Sequence, residues 1–419
     1  MNLFDVSAIL LTGCAVASYI NHKWIKLPLS IGLLLLAMAL GWIGLTLKNT
    51  GLISDYYIQE LLSSINFQET VFHGMLSFLL FAGALQVNID DLKTAMVPVI
   101  ITATISTLIS TILIGFAFYF LANQFGFSIV TLPYAMLFGA ILSPTDPITA
   151  MSITKKMKIS KKIEMTIVGE SLFNDGVALV FFLAILDIIK SHGETSVSSA
   201  AHLFLLEVGG GILFGAVIGW IASQMLSRID AYHIELLITL TVATAGYTIA
   251  EKLKFSAPLA MVIAGLIIGH QSRRTKIMEA HSRNFVDSFW EVMDDLLNAM
   301  LFFLLGLEMI AIDAPLRVAI LGVVAIFIAL AARFISVAIP LTIIRLFYPL
   351  KRGTLIILTW GGLRGALSIA MVLSLEHADI KEIFLPCIYF VVVFSIAVQG
   401  LTLSRVIKRY KITKKKVLM

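Results

Sequence analysis

The sequence predicts an all-α polytopic membrane protein of about thirteen transmembrane helices. Three observations carry that expectation. The chain of 419 residues is 59% hydrophobic and only 14% charged, its mean hydropathy is +0.95, and apolar runs of roughly 20 residues alternate with short polar breaks. No soluble globular domain has such a composition. The breaks are too short to fold by themselves, so residues 1–404 read as one membrane unit, followed by a short basic cytoplasmic tail at 405–419.

The spans read, in order, as 3–21, 27–47, 69–88, 95–122, 131–151, 164–190, 200–226, 232–251, 256–270, 287–311, 315–344, 353–375 and 384–404. Basic residues test this division. Of the 31 Lys and Arg, twenty-three fall in one set of alternate loops and the tail. Six fall in the other set: Lys48, Lys190, Lys252, Lys254, Arg317 and Lys381. That asymmetry predicts an odd number of spans, with the N-terminus outside and the C-terminus cytoplasmic. The net charge of +5 is therefore a topology signal, and no nucleic-acid partner is expected. Arg333 and Arg364 remain inside spans.

Several function classes find no support. Cys14 and Cys387 sit in distant spans and read as small buried residues. His73, His202, His233 and His270 are isolated, without metal-ligand spacing. A Gly-X-Ser-X-Gly nucleophile elbow and a phosphate-binding loop are both missing from the sequence. The expectation is a transporter rather than an enzyme, without a cofactor and not driven by ATP bound to this chain.

Two spans look broken. Leu142-Ser143-Pro144-Thr145-Asp146-Pro147 places two prolines and a carboxylate in mid-membrane, which frees backbone carbonyls. Trp360-Gly361-Gly362-Leu363-Arg364-Gly365-Ala366 places three glycines around an arginine. Irregular backbone survives at that depth only when buried in protein or lining a wet cavity. If the chain is two six-helix repeats of inverted topology flanking a seventh span, these are the fifth span of each. Interrupted helices at matching positions point to a secondary transporter with a site near the midplane. Gly209-Gly210-Gly211 and Gly215 read instead as close helix packing.

The chemistry concentrates in Gly169-Glu170-Ser171-Leu172-Phe173-Asn174-Asp175-Gly176. A charged residue at the centre of a span costs about 2.5–3.5 kcal/mol on insertion scales, so Glu170 and Asp175 are functional candidates. Helical spacing puts Ser171 over Asp175 on one stripe and Glu170 over Asn174 on another. Asp175, Asp146, Ser171 and a hydroxyl or freed carbonyl of Thr145 offer hard oxygen ligands for a monovalent cation. Burial disfavours an ionised carboxylate, which lets protons compete with the cation for the same oxygens. The simpler readings are a helix cap for Asp146 and an interhelical hydrogen bond for Asp175.

Arg364 is expected to pair with Glu170, because an unpaired guanidinium in the membrane interior is costly; direct contact with an anionic substrate is the alternative. Arg333 is either a second interior cation or nearer an interface than the span boundaries suggest. Glu291, Asp294 and Asp295 open the tenth span after a loop with Arg273, Arg274, His281 and Arg283. They read first as the solvated start of an amphipathic helix, and second as an acidic mouth that attracts cations, with His281 as a pH sensor. Glu308 is either a packing partner or part of an outer cavity.

Taken together, Ser143-Pro144-Thr145-Asp146-Pro147, Gly169 to Gly176 and Gly361-Gly362-Leu363-Arg364-Gly365-Ala366 resemble the sodium/proton antiporters of the NhaP/NHE type along essentially the whole chain. The resemblance implies cation ligation by Asp146, Ser171, Asp175 and the backbone of Thr145, with Glu170–Arg364 as a structural ion pair. It implies thirteen spans and a homodimer. A core domain, about 69–190 and 287–404, would move against dimerisation elements at about 1–47 and 200–270. Asn174 would mark the electroneutral branch, since an amide cannot carry the extra proton that a second aspartate carries. Many relatives have an acid where this chain has Ala82, which leaves ion preference open. Na⁺ or Li⁺ exchange for H⁺ in a bacterial inner membrane is the leading expectation. K⁺/H⁺ exchange is the alternative, and a cation channel or an intramembrane aspartyl protease the more remote ones.

Overall fold

The computed structural model describes residues 3–50, 67–146, 157, 159–191, 197–274, 280–308, 312, 314–345 and 353–410. Its regular elements are helices. They run α1 (Leu3–Ile20), α2 (Leu29–Asn49), α3 (Thr70–Gln86), α4 (Met96–Gln124), α5 (Leu132–Ile141), α6 (Lys161–Lys190) and α7 (Val197–Leu226). Then come α8 (Tyr232–Lys252), α9 (Ala257–Arg274), α10 (Ala280–Glu308), α11 (Leu316–Ile344), α12 (Thr354–Gly361), α13 (Ala366–Leu373) and α14 (Ala378–Arg409).

Seven of these helices are long and apolar enough to cross a membrane by themselves, or eight with α12 and α13 taken as one span bent by 45°. The distribution of side chains fits a protein whose solvent is lipid. Leu205, Leu213, Phe327 and Leu316 are each more than 60% exposed, whereas Thr102, Ser106, Thr107, Asn174, Glu170, Arg333 and Arg364 are buried. A protein dissolved in water shows the opposite preference. This is a multi-pass membrane protein.

Packing brings sequence-distant helices around the two breaks. α4 lies along α5 and against α6, and α11 packs on α4, α12 and α14. Phe118 of α4 stacks on Phe138 of α5 at 3.7 Å, and Phe384 of α14 meets both rings edge-on. α9 fills the space between α7 and α3. The α7–α9 approach depends on small residues: a Cβ on Gly215 would stand 2.8 Å from the Cα of Ala260, so no larger side chain fits without separating the helices. α10 packs along α2 and α1 on one side and against α3, α8 and α13 on others. Its buried Trp290 sits 4.8 Å from Phe81 and donates to Thr239 at 3.1 Å.

Both breaks fall where local chemistry requires them. α5 begins with proline in its first turn and stops at Ile141, two residues before Ser143-Pro144. Proline removes a donor and disfavours helical geometry in the residue before it. α12 stops at Gly361-Gly362, and α13 resumes at Ala366 after Gly365 in extended backbone. The continuation of the first broken span beyond Asp146, including Pro147, lies outside the described residues, as do Lys155, Lys156 and Lys158 of the basic loop and the end of the tail. The side chains of Arg273, Arg274, His281 and Arg283 lie outside them too.

Candidate functional site

The two breaks meet. The backbone N–H of Asp146 donates to the carbonyl of Leu363 at 2.6 Å, joining the extended segment after α5 to the one between α12 and α13. Gly365 lies so close that a Cβ there would stand 2.9 Å from the Cβ of Asp146. Asp146 is thereby set against the N-terminus of α13, the positive end of its dipole.

The carbonyls left open after the end of α5 are held by two side chains. Arg364 donates through Nη1 to the carbonyls of Ser143 (2.6 Å) and Pro144 (3.1 Å), while its own N–H is held by Ser395 Oγ at 2.8 Å. Asn174 donates from Nδ2 to the Ser143 carbonyl and to Thr145 Oγ1, each at 3.2 Å, and accepts from Thr107 Oγ1 at 2.7 Å. A flipped amide would oppose acceptor to acceptor at Ser143, so the network fixes its orientation. Thr107 follows a π-helical turn at Thr102–Ser106, and Ser395 opens another at Ser395–Gln399. Such turns are frequent at functional sites, and here they adjoin the hydroxyls that steady the breaks.

Glu170 does not follow the expected pairing. Its Oε1 lies 2.5 Å from Nη1 of Arg333, and both side chains are at most 4% exposed. Arg333 is therefore an interior cation and no interfacial residue. Gly362 explains the exchange of partners: any side chain there would collide with the Arg333 guanidinium, which also donates to the Leu358 carbonyl at 3.2 Å. Arg364 points to the carbonyls of the other break. The arginine of the interrupted helix is the more conspicuous in sequence, and nothing in the uninterrupted apolar run around Arg333 singles it out.

On the opposite side of this crossing lies a cavity of about 60 Å³ whose walls include Thr145, Asp146, Asp175, Asp294 and Gly365, with apolar surface from Leu76, Leu79, Leu80, Leu172 and Leu301. That is room for a few water molecules. Asp175 and Asp146 are 7% and 8% exposed and line the cavity together. Asp175 Oδ1 is buried without a hydrogen-bond partner. Ser171 Oγ and Thr145 Oγ1 are 3.0 Å apart. Thr145, Asp146 and Asp175 thus line one cavity, whereas Ser171 is not part of its wall and meets it through Thr145 Oγ1.

Three other sequence expectations can be placed. Ala82 is fully buried and is not part of the cavity wall, to which α3 contributes Val71, Leu76, Leu79, Leu80 and Gly83. The acidic run divides: Glu291 and Asp295 are exposed, but Asp294 lines the cavity. Sequence treated the three alike, and only the rotation of α10 against α3 separates them. Glu308 is half-buried beside Tyr389, whose hydroxyl donates to the Leu305 carbonyl at 2.9 Å.

Residues 9–409 match the family model described as sodium/hydrogen exchanger, transmembrane. The chain belongs to the sodium/hydrogen exchanger family. It is 39% identical to the Na⁺/H⁺ antiporter NhaP of Pseudomonas aeruginosa over 97% of both chains. It is 34% identical to the antiporter NhaH of Halobacillus aidingensis, over 96% of this chain and 97% of that one. The fold is similar to that of the sodium proton antiporter MjNhaP1 of Methanocaldococcus jannaschii, with a TM-score of 0.74 at 19% identity, over 98% of this chain and 99% of that one. Membership of this family places the breaks and the carboxylate-bearing cavity beside them in a transporter of ions.

Proposed function

We propose that this protein exchanges Na⁺, or Li⁺, for H⁺ across the bacterial cytoplasmic membrane, one for one, at a single site loaded alternately with cation or proton at Asp175. The observation that carries this reading is the buried, unpartnered Oδ1 of Asp175 beside Asp146 in a small cavity where the segment after α5 meets the break between α12 and α13. A desolvated carboxylate in that setting needs a counter-charge, and Na⁺ and H⁺ each supply one.

The roles divide by what each side chain can do. Asp175, Asp146, Ser171 and Thr145 replace part of the water shell of the cation. When the cation leaves, a proton on Asp175 keeps the site from crossing empty and charged. Asp146, against the positive end of α13, keeps one charge state through the cycle. Asn174 cannot ionise, so it holds the broken segment without adding a proton to the stoichiometry. Arg364 holds the same segment through its carbonyls, and Glu170–Arg333 locks α6 to α11. The elements at about 69–190 and 287–404 move as the ion-carrying core against dimerisation elements at about 1–47 and 200–270. The working unit is a homodimer in the inner membrane with its C-terminus cytoplasmic.

The test is proton movement in liposomes loaded with acid and a pH dye, holding purified protein, with the membrane potential clamped at two values. Internal alkalinisation on external Na⁺ or Li⁺, equal at both potentials, is the expected result. Response to K⁺ alone would replace sodium by potassium as the exchanged ion. Cation flux that follows the potential without obligatory proton movement would make the protein a channel and defeat the proposal.

A further inference from the structure

We infer that Asp294 is a third carboxylate of the ion path, one that receives the cation at the α10 wall of the cavity and sets its apparent affinity. The inference rests on the exchange reading above and assigns to it a residue outside the ligand set of the two breaks.

Two observations single out Asp294. It lines the same cavity as Asp146 and Asp175, whose remaining walls are largely aliphatic. Of the two residues that α10 gives to this wall, Asp294 and Leu301, only Asp294 can replace lost water. Its acidic neighbours, Glu291 and Asp295, are exposed and form no part of that wall, so this is a property of one position and not of an acidic patch.

The surroundings also fix the side chain. Asn298, one turn later and only 5% exposed, donates to Asp294 Oδ1 at 3.0 Å. The Oδ1 of that same amide is buried without a partner, which leaves a further hard oxygen in the same turn. α10 packs along α1 and α2, whereas Asp146 and Asp175 belong to the break after α5 and to α6. The three carboxylates therefore face one small volume from separate elements. A negative group at the wall of a low-dielectric cavity raises the local cation concentration, and it acts on binding before the ion is carried.

The experiment compares the apparent KM and Vmax for Na⁺ in the liposome assay for the wild type, Asp294→Asn, Asp294→Glu and Asp295→Asn. The expected result for Asp294→Asn is a KM raised about tenfold, equivalent to about 1.4 kcal/mol, with Vmax nearly unchanged. Asp294→Glu restores most of the affinity, and Asp295→Asn leaves it as it was. An unchanged KM in Asp294→Asn, or an equal rise in Asp295→Asn, would overturn the inference. Should the amide variant fold poorly, Asp294→Cys treated with an anionic methanethiosulfonate gives a lower KM than the same variant treated with a neutral one; equal values overturn the inference. A wild type without Na⁺- or Li⁺-driven proton movement would defeat the exchange reading instead, before any variant is compared.

Discussion

Arg364 Nη1 stands 2.6 Å from the carbonyl oxygen of Ser143, so the arginine of one broken helix neutralises the open end of the other. Backbone carbonyls at a helix C-terminus carry partial negative charge, and at this depth no bulk water is at hand to solvate them. The reciprocal contact runs the other way: Asp146 lies against Gly365 at the N-terminus of α13. Each break thus disposes of the other's helix end, and the acidic site is left in between.

The three buried charges beside this crossing are not equivalent, and a double-mutant cycle separates them. Removing one partner of a buried pair costs about 3–5 kcal/mol, so Glu170→Gln and Arg333→Gln each lower the melting temperature of the purified protein sharply. Because they delete the same 2.5 Å contact, the double variant falls by much less than the sum. The cycle of Glu170→Gln with Arg364→Gln is nearer additive, since Arg364 donates to the carbonyls of Ser143 and Pro144. Strong coupling to Arg364 and none to Arg333 would restore the pairing expected from sequence.

Much of this site is legible without a structure. Prolines at 144 and 147 and glycines at 361, 362 and 365 locate the breaks, because few residues at that depth leave a helix without cause. The spacing of Ser171 and Asp175 locates the hydroxyl and the carboxylate proposed as ligands. Two things stay hidden. Partner choice between Arg333 and Arg364 depends on the space left by Gly362, a contact across sequence-distant helices. The fate of Asp294 depends on which face of α10 meets α3; Glu291 and Asp295 differ from it by one turn or one step, and sequence carries no rotation angle.

Asp175→Asn abolishes exchange while leaving melting temperature and dispersity in detergent near those of the wild type. The amide is isosteric and can neither bind a proton nor offer a full charge. In the wild type the two ions compete, so lowering the pH raises the apparent KM for Na⁺. The rise approaches about tenfold per pH unit once the site is mainly protonated, with Vmax little changed. Residual exchange in Asp175→Asn, or a KM indifferent to pH, would remove this carboxylate from the mechanism.

Asn174→Asp tests what sets the charge coupling. The amide now donates to the Ser143 carbonyl and to Thr145 Oγ1, which an ionised carboxylate cannot do. The variant therefore holds its new acid protonated for part of the cycle, or loosens the broken segment. The expected outcome is lower transport with a rate that changes with clamped membrane potential, whereas the wild-type rate does not. Asn174→Ala is the control: it loses the same donors without gaining a titratable group, so it loses stability yet stays indifferent to potential.

Gly365→Ala probes the crossing itself with the smallest possible change. Its new methyl group would stand 2.9 Å from the Cβ of Asp146, closer than two carbons pack, and both neighbours are anchored: the Asp146 N–H on Leu363 and the Arg364 N–H on Ser395. The strain is relieved by moving the Asp146 carboxylate away from the end of α13. The cation then loses a ligand that the proton does not use, so the apparent KM for Na⁺ rises while proton binding at Asp175 holds. The check is the pH dependence of the apparent KM, which keeps the midpoint of its rise on acidification while its value at high pH increases. A shift of that midpoint with no change in the high-pH KM would mean that Asp146 serves the proton and not the cation.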